Sequence, residues 1–203
     1  MKSFLTLHGL TGIVRSSAVS LTVLALLGHI PTSVAAEGET PVFSADGYRI
    51  SGFRSPVPDT VPSGVTVNTT QVRVLLEDPD TILIDVLPAP IKPKDSPSNL
   101  LWLPPERYNI PGSIWLPNVG YGALSEELDN YFKQNLQRSS ASDISRPIIL
   151  YCLAECWMSW NAAKRAATDY GYSRIYWYPD GTTGWEAAGL PLEKSLPAPM
   201  DSP

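Results

Sequence analysis

Two continuous apolar runs leave this chain few folds to choose from. They occupy residues 81–86 and 147–151. Neither run alternates between apolar and polar residues, so each predicts a strand that is buried on both faces, as in parallel sheets. Further strands are predicted at residues 65–67, 110–117 and 174–178, and helices at residues 69–77, 125–135, 158–170 and 184–188. Strands that alternate with helices predict an α/β domain with a central, mainly parallel β-sheet flanked by helices.

The first 36 residues have the composition of a secretory signal peptide. They carry Lys2 and Arg15 but no acidic residue, followed by a short apolar stretch over residues 18–27. Small residues then precede a cleavage site after Ala36. We therefore expect an exported protein that is soluble and free of the membrane once residues 1–36 are removed. A signal anchor that stays attached is the alternative.

The chain has two histidines, His8 and His29, and both lie in this leader. A mature protein without histidine excludes Ser-His-Asp and Cys-His catalysis, and it excludes a Cys/His zinc site. A net charge of −5 without a basic cluster also argues against nucleic acid as a partner. Any chemistry must then use cysteine, carboxylate, tyrosine, lysine or arginine side chains.

The length of the chain suits one domain, and composition divides the part that follows the leader. Residues 37–63 are polar and rich in proline and predict an extended N-terminal arm. Residues 64–193 form the compact domain, and residues 194–203 predict a loose C-terminal tail. Within the domain, residues 87–112 carry seven prolines and predict a long proline-rich loop insertion. Its leucine and aromatic side chains indicate that it either covers the domain's own core or docks a partner.

The chain has two cysteines, Cys152 and Cys156. Cys152 falls at the carboxyl end of a predicted buried strand, where α/β sheets bind ligands. A thiol there faces the positive end of the next helix, which lowers its pKa and makes it a candidate nucleophile. Cys156 lies four residues on, within reach of a disulfide. The alternatives are a reactive or reversible pair, an inert structural disulfide, or a Cu(I) site with Met158 nearby.

Other side chains are candidates for supporting this crevice: Asp85 at the end of its strand, with Trp157 and Ser159 beside the cysteine loop. Lys164 and Arg165 are the nearest cations on the following helix. Each has an ordinary alternative role. Asp85 can cap a loop, Trp157 can pack in the core, and the two cations can lie on a solvated helix face.

Five stretches, taken in order, resemble rhodanese-like domains over residues 64–193. They are residues 65–79, 82–86, 110–117, 148–152 and 171–191. The resemblance implies a single small α/β domain in which Cys152 carries a persulfide in a cradle of loop amides. Leu87 stands where rhodaneses usually have an arginine, and the loop from Leu153 to Ser159 is longer and has no cation. An anion such as thiosulfate is therefore not provided for in this loop.

The segment from Cys152 to Arg165 is similar to exported proteins called PQQ-dependent catabolism-associated CXXCW motif proteins, as are the leader and the proline-rich insertion. Three residues separate the two cysteines here, where that name gives two. Membership implies a periplasmic protein that acts beside a quinoprotein alcohol dehydrogenase. The sequence has no cluster of cations that could bind the tricarboxylate PQQ, so we expect no bound cofactor other than a persulfide on Cys152. We also expect no metal, since the mature chain offers no histidine and no further cysteine as a ligand.

Two functions follow from these patterns. In the first, the protein is an enzyme-like thiol protein: Cys152 attacks or accepts sulfur, and Cys156 resolves the product as a disulfide. In the second, it is a non-catalytic accessory module that binds a dehydrogenase, a cytochrome or a redox cofactor through aromatic side chains. Those side chains would be Trp102, Tyr108, Trp115 and Trp157.

Overall fold

The computed structural model describes residues 41–90 and 106–200, which belong to one compact unit. The predicted leader, Trp102 with its neighbours in the proline-rich insertion, and the last three residues lie outside this description. The strands are β1 (Val65–Thr66), β2 (Ile82–Asp85), β3 (Arg107–Asn109), β4 (Ile114–Trp115), β5 (Ile148–Tyr151), β6 (Ile175–Tyr178) and β7 (Glu193–Ser195). The helices are α1 (Thr69–Leu75), α2 (Glu126–Ser140), α3 (Trp157–Thr168) and α4 (Gly181–Ala187).

The central sheet has five strands in the order β1-β6-β5-β2-β4, and all neighbouring pairs are parallel. This confirms the predicted α/β fold with a mainly parallel sheet. β2 and β5 are adjacent at its centre, with Asp85 opposite Tyr151. Their carboxyl ends therefore lie side by side, and the first cysteine follows at that edge.

The two central strands are buried on both faces, as their continuous apolar sequences predict. On one face, Ile84 and Leu150 pack with Phe132 of α2 and Ala163 of α3. The other face carries Leu83, Ile149 and Tyr151, together with Val72 of α1 and Trp185 of α4. Helices on both faces leave neither side of the sheet to solvent, which explains why no polar alternation occurs in the two runs.

Helix α2 is longer than its sequence predicts. The polar residues after Asn135 indicate a linker, but the helix continues to Ser140. Leu136 and Ser140 are fully buried, so the last turn packs on the domain even though its exposed face is polar. Ala141 then adopts a left-handed conformation (φ 51°) and ends the helix.

The predicted N-terminal arm lies along α3. The side chain of the buried Asn161 accepts a hydrogen bond from the Arg49 N–H (3.0 Å) and donates one to the Arg49 carbonyl (2.9 Å). The Trp160 indole donates to the carbonyl of Thr60 (2.9 Å). The arm also approaches residue 122 closely at Arg49. Glycine is required there, since a β-carbon at Gly122 would lie 2.2 Å from the Arg49 carbonyl oxygen.

The sequence predicts a loose tail over residues 194–203, but as far as Ala198 this segment is held by hydrogen bonds to the domain. β7 pairs with β3 in a two-stranded antiparallel sheet. Beyond it, the Ala198 N–H donates to the Trp115 carbonyl (2.9 Å), and the Tyr131 hydroxyl donates to the Ala198 carbonyl (2.8 Å). These contacts are made mostly by backbone groups, so the polar, proline-rich sequence gives no apolar pattern from which to predict them.

Within residues 41–90 and 106–200, no helix is long and apolar enough to cross a membrane.

Candidate active site at the cysteine loop

The two cysteines bracket a short loop between the central sheet and α3. Cys152 follows β5 directly, and Cys156 is the N-cap residue of α3. Both are free thiols, with Cys152 0% and Cys156 2% exposed. Glu155, between them, has a left-handed backbone (φ 53°), which turns the chain sharply enough to bring the second thiol back toward the first.

The start of α4 closes the loop from one side. The Thr182 N–H donates to the Cys152 carbonyl (3.1 Å), and Leu153 forms an antiparallel bridge with Gly181. A β-carbon at Gly181 would lie 2.3 Å from the Cys152 carbonyl oxygen, so only glycine permits this approach. Ser159, predicted as a loop support, donates its hydroxyl to the Cys156 carbonyl (3.2 Å) and accepts from the Trp177 indole (3.0 Å).

The N-terminal arm forms the other wall of the loop. Arg54 makes an antiparallel bridge with Cys156. On either side of it, the Trp157 N–H donates to the Phe53 carbonyl (2.9 Å) and the Ser55 N–H donates to the Glu155 carbonyl (3.2 Å). The pairing places an exposed arginine beside Cys156, although the loop itself contains no cation.

The two thiols have opposite electrostatic environments. Burial raises the pKa of Cys152 well above its ordinary value, and its hydrogen bond to the Cys156 sulfur and the charge of Asp85 act in the same direction. The hydrogen bond from Cys152 lowers the pKa of Cys156, as do the N–H groups of Met158 and Leu153 and the charge of Arg54, against the opposing effect of burial. The favoured state of the pair is therefore a protonated Cys152 beside a Cys156 thiolate.

Asp85 lies at the end of β2 and is completely buried. Its Oδ2 accepts from Nε of Arg107 (2.7 Å), and its Oδ1 accepts from the Leu87 N–H (2.9 Å). Burial raises the pKa of Asp85 to about 6, although Arg107 and the Leu87 N–H act against this rise. The carboxylate thus caps the loop after β2 and also adds negative charge near Cys152.

Two tryptophans, Trp157 and Trp115, pack in the core of the domain. Trp157 is buried, packs edge-on against Phe43 and Trp160, and donates its indole N–H to the Pro56 carbonyl (3.0 Å). This is a packing role. Trp115, expected in a docking surface, is also buried and donates its indole N–H to the Leu87 carbonyl.

The two cations predicted on the helix after the cysteines do not approach the thiols. Arg165 is buried and donates to the carbonyls of Val119, Tyr121 and Gly122, so it is not part of a solvated helix face. Nζ of Lys164 lies 4.0 Å from the centre of the Tyr48 ring. Both cations therefore attach neighbouring segments to α3.

Sequence reasoning missed the two arginines that do act on the site, Arg54 and Arg107. Each comes from a segment that the sequence treats as peripheral, the N-terminal arm and the proline-rich insertion. No local pattern marks either one: Arg54 reaches the site by backbone pairing with Cys156, and Arg107 reaches Asp85 with its side chain from β3, which pairs with β7. Among the described residues, no group of three or more His, Cys, Asp or Glu side chains could hold a metal ion.

Comparison with known proteins bears on the fold. The sequence pattern of the rhodanese-like domain matches residues 68–188. No curated protein matches the chain in sequence. Similar solved structures include a thiosulfate sulfurtransferase from Pseudomonas aeruginosa, with 16% identity and a TM-score of 0.43, covering 66% of this chain and 21% of that chain.

Two further solved structures are similar. The polysulfide-sulfur transferase of Wolinella succinogenes has 20% identity and a TM-score of 0.40, with 64% of this chain and 79% of that chain covered. The anaerobic ergothioneine biosynthesis enzyme of Chlorobium limicola has 18% identity and a TM-score of 0.44, with 67% and 33% covered. The chain thus spans about a fifth of the Pseudomonas protein and a third of the Chlorobium protein.

Proposed function

Since this chain belongs to the rhodanese-like domain family, we propose that it is a thiol protein that carries out sulfur transfer or thiol–disulfide chemistry at Cys152 and Cys156. The observation that carries the proposal is the pair itself: two free thiols, hydrogen-bonded to each other, at the carboxyl end of a parallel sheet. One of them occupies the N-cap position of a helix and has an arginine beside it. That environment favours a thiolate, the form in which sulfur reacts.

The pair can complete a reaction that a single cysteine cannot. One thiolate attacks the sulfane sulfur of a donor and forms a persulfide while the rest of the donor leaves. The second thiol attacks the inner sulfur of that persulfide, so a disulfide forms and hydrosulfide leaves. The two thiols are oxidised to the disulfide and the sulfane sulfur is reduced to sulfide, which balances the electrons without another oxidant.

The setting that we propose is the periplasm, after removal of residues 1–36. The similarity of residues 152–165 to PQQ-dependent catabolism-associated proteins supports a role beside a quinoprotein alcohol dehydrogenase or a cytochrome. PQQ itself is not proposed as a ligand, since the cations near the thiols are single side chains on separate segments and a tricarboxylate needs several together.

The first test is the intact mass of the protein purified without reductant, before and after incubation with thiosulfate. We expect the mass of a Cys152–Cys156 disulfide, two hydrogens lighter than the dithiol, together with released sulfide. The Cys152→Ser and Cys156→Ser variants should each lose the disulfide and the sulfide release. Val74→Ser, a change at an exposed position of α1, is the matched control and should behave as wild type. Two unmodified thiols after incubation, with no sulfide released, would contradict the proposal.

A second function, an accessory binding module, is favoured by one observation. Tyr108 on β3 is 47% exposed, whereas Trp115 and Trp157 are buried. If the protein serves by docking, Tyr108→Ala should lose a periplasmic partner in a pull-down while its thiol chemistry stays intact. The Cys152→Ser/Cys156→Ser double variant should retain that partner. A pull-down in which Tyr108→Ala retains the same partners as wild type would count against a docking role for β3.

A further inference from the structure

We propose that Cys156, and not Cys152, is the sulfur that attacks the donor, that Arg54 is the positioning residue that stabilises its thiolate, and that Cys152 is the resolving thiol. This assignment rests on the sulfur chemistry proposed above and reverses the roles that the resemblance to rhodanese-like domains implies. It follows from where each sulfur lies relative to the helix, the arm and the carboxylate.

The first argument is the place of Cys156 at the start of α3. It is the N-cap of a helix of 12 residues, so its sulfur lies at the positive end of the helix dipole. The N–H groups of Met158 and Leu153 act on this sulfur and favour its negative charge. Cys152 follows the end of a strand, and of these two N–H groups only that of Leu153 acts on its sulfur.

The second argument is the arm. The bridge between Arg54 and Cys156, with the flanking Ser55–Glu155 and Trp157–Phe53 hydrogen bonds, fixes the register of the two segments. The register places Arg54 opposite Cys156, and the charge of this arginine acts on the thiol. The other arginine of this segment, Arg49, donates to the carbonyls of Ser51 and Gly52, and its guanidinium lies over the Trp157 ring, 5.0 Å from the ring centre. Arg54 is therefore the cation that the arm offers to the thiolate.

The third argument concerns Cys152, whose surroundings oppose a charge. It is completely buried, and Asp85, one strand away, adds a negative charge in the same direction. A thiol in this place keeps its proton and donates it to the neighbouring sulfur. That is the arrangement that a resolving thiol needs, because it stays inactive until the first cysteine has been modified.

With thiosulfate as the donor, the steps balance. The Cys156 thiolate attacks the outer sulfur, the sulfur–sulfur bond of thiosulfate breaks, and sulfite leaves with the bonding electron pair. Cys152 then attacks Sγ of Cys156, the persulfide bond breaks, and the departing sulfide takes the Cys152 proton. The products are one disulfide, one sulfite and one hydrosulfide ion.

Alkylation at limiting iodoacetamide tests which sulfur is the thiolate. In the wild-type protein at pH 7 we expect peptide masses to show at least tenfold more label on Cys156 than on Cys152, since thiolate content governs the rate. The charged groups that act on the pair and set the profile are Arg54 of the arm and Asp85 of β2, besides the thiols themselves. Predominant labelling of Cys152 would overturn the assignment.

Arg54→Ala should shift the pH profile of Cys156 labelling upward by about half a unit to one unit, as expected for removal of one nearby charge. Arg54→Lys keeps the positive charge, so its profile should lie close to that of wild type. A merely structural role of the arginine would not explain this rescue. Arg73→Ala, at an exposed position on α1, is the control and should leave the profile unchanged. An Arg54→Ala profile that coincides with that of wild type would remove Arg54 from the proposal.

The single cysteine variants separate this proposal from the proposed function. Cys152→Ser keeps a hydroxyl that can donate to Cys156, and after incubation with thiosulfate it should become one sulfur atom heavier, reversibly with cyanide. Cys156→Ser should gain no sulfur. If Cys156→Ser carries the persulfide instead, the role assignment is wrong while the proposed function stands. If neither variant gains sulfur and the wild type releases no sulfide, both are wrong.

Discussion

At the scale of single residues, the Asp85–Arg107 pair shows how burial and charge compete within a core. The carboxylate is fully buried and the arginine side chain is 10% exposed, with Nη2 lying 2.7 Å from Oδ2. Removing both ions from water costs several kcal/mol each, and the contact offsets this only where the geometry is good. The pKa of Asp85 lies near 6 because burial outweighs the arginine.

This pKa fixes the sign of a pH effect on stability. An acid whose folded-state pKa is raised from 3.8 to about 6 binds more protons when folded than when unfolded. Its favourable contribution is therefore present below about pH 4 and is lost as the pH rises through about 6. At neutral pH the buried, ionised carboxylate of Asp85 is stabilised by its ion pair with Arg107.

We expect Arg107→Met to lower the free energy of unfolding by about 3 to 5 kcal/mol at pH 7.5, because it leaves a buried carboxylate unpaired. At pH 5 the loss should be smaller, since Asp85 then carries a proton. Urea denaturation at the two pH values measures the difference. Arg146→Met, which breaks the exposed pair with Asp80, is the control and should cost at most about 1 kcal/mol at both. An Arg107→Met loss that is equal at the two pH values would contradict this account.

The residues of the site were only partly predictable, for a physical reason. Cys152, Cys156 and Asp85 lie at strand or helix ends, and the apolar runs beside them locate those ends in the sequence. Arg54 and Arg107 lie in segments without apolar periodicity, and each reaches the site through pairing with a distant segment. Periodicity reports on local burial, so partners of this kind leave no signal in it.

At the scale of elements, the arm and α3 behave as one layer. Asn161 links them with two hydrogen bonds to Arg49, and it donates a third to the Gly120 carbonyl (2.9 Å).

β2 and β5 were predictable because burial on both faces gives an unmistakable apolar run. The last turn of α2 and the β3–β7 pair were not, since polar sequence hides a packed helix face in one and backbone pairing forms the other.

Asn161→Ala should detach the arm from α3. The change removes three hydrogen bonds and leaves buried backbone groups without their partner, at a cost of about 2 to 4 kcal/mol. Hydrogen exchange of the amides of residues 49–57 should then become faster. Asn68→Ala, at the exposed N-cap of α1, is the control. It should lower stability by about 1 kcal/mol without changing exchange in the arm. Unchanged exchange in Asn161→Ala would show that other contacts suffice.

At the scale of the whole molecule, the two ends of the described chain brace the same domain. The arm pairs with the cysteine loop, while the C-terminal segment pairs with β3 and contacts Trp115 and Tyr131. Because Arg107 belongs to β3, the C-terminal strand also helps to hold the partner of Asp85.

A chain that ends at Leu192 should therefore be less stable by about 2 to 4 kcal/mol, given the backbone hydrogen bonds that it loses. We also expect the apparent pKa of Asp85 to rise, as Arg107 is held less firmly. Thermal denaturation and an NMR titration of the carboxyl group measure the two effects. A chain that ends at Met200 keeps β7 and Ala198, and it should match the full-length protein. Equal stability of the two truncated chains would show that β7 contributes nothing.

The pairing of the arm with the cysteine loop also fixes an order of assembly. Residues 53–55 leave the ribosome early, whereas their partners at 155–157 are synthesised about a hundred residues later. Contacts between such distant parts of a chain form late in folding, because the whole intervening loop must close first. Arg54 therefore reaches Cys156 only when nearly the entire domain has folded. Until then Cys156 lacks its neighbouring cation, so a smaller fraction of this thiol would be thiolate in the nascent chain than in the folded domain.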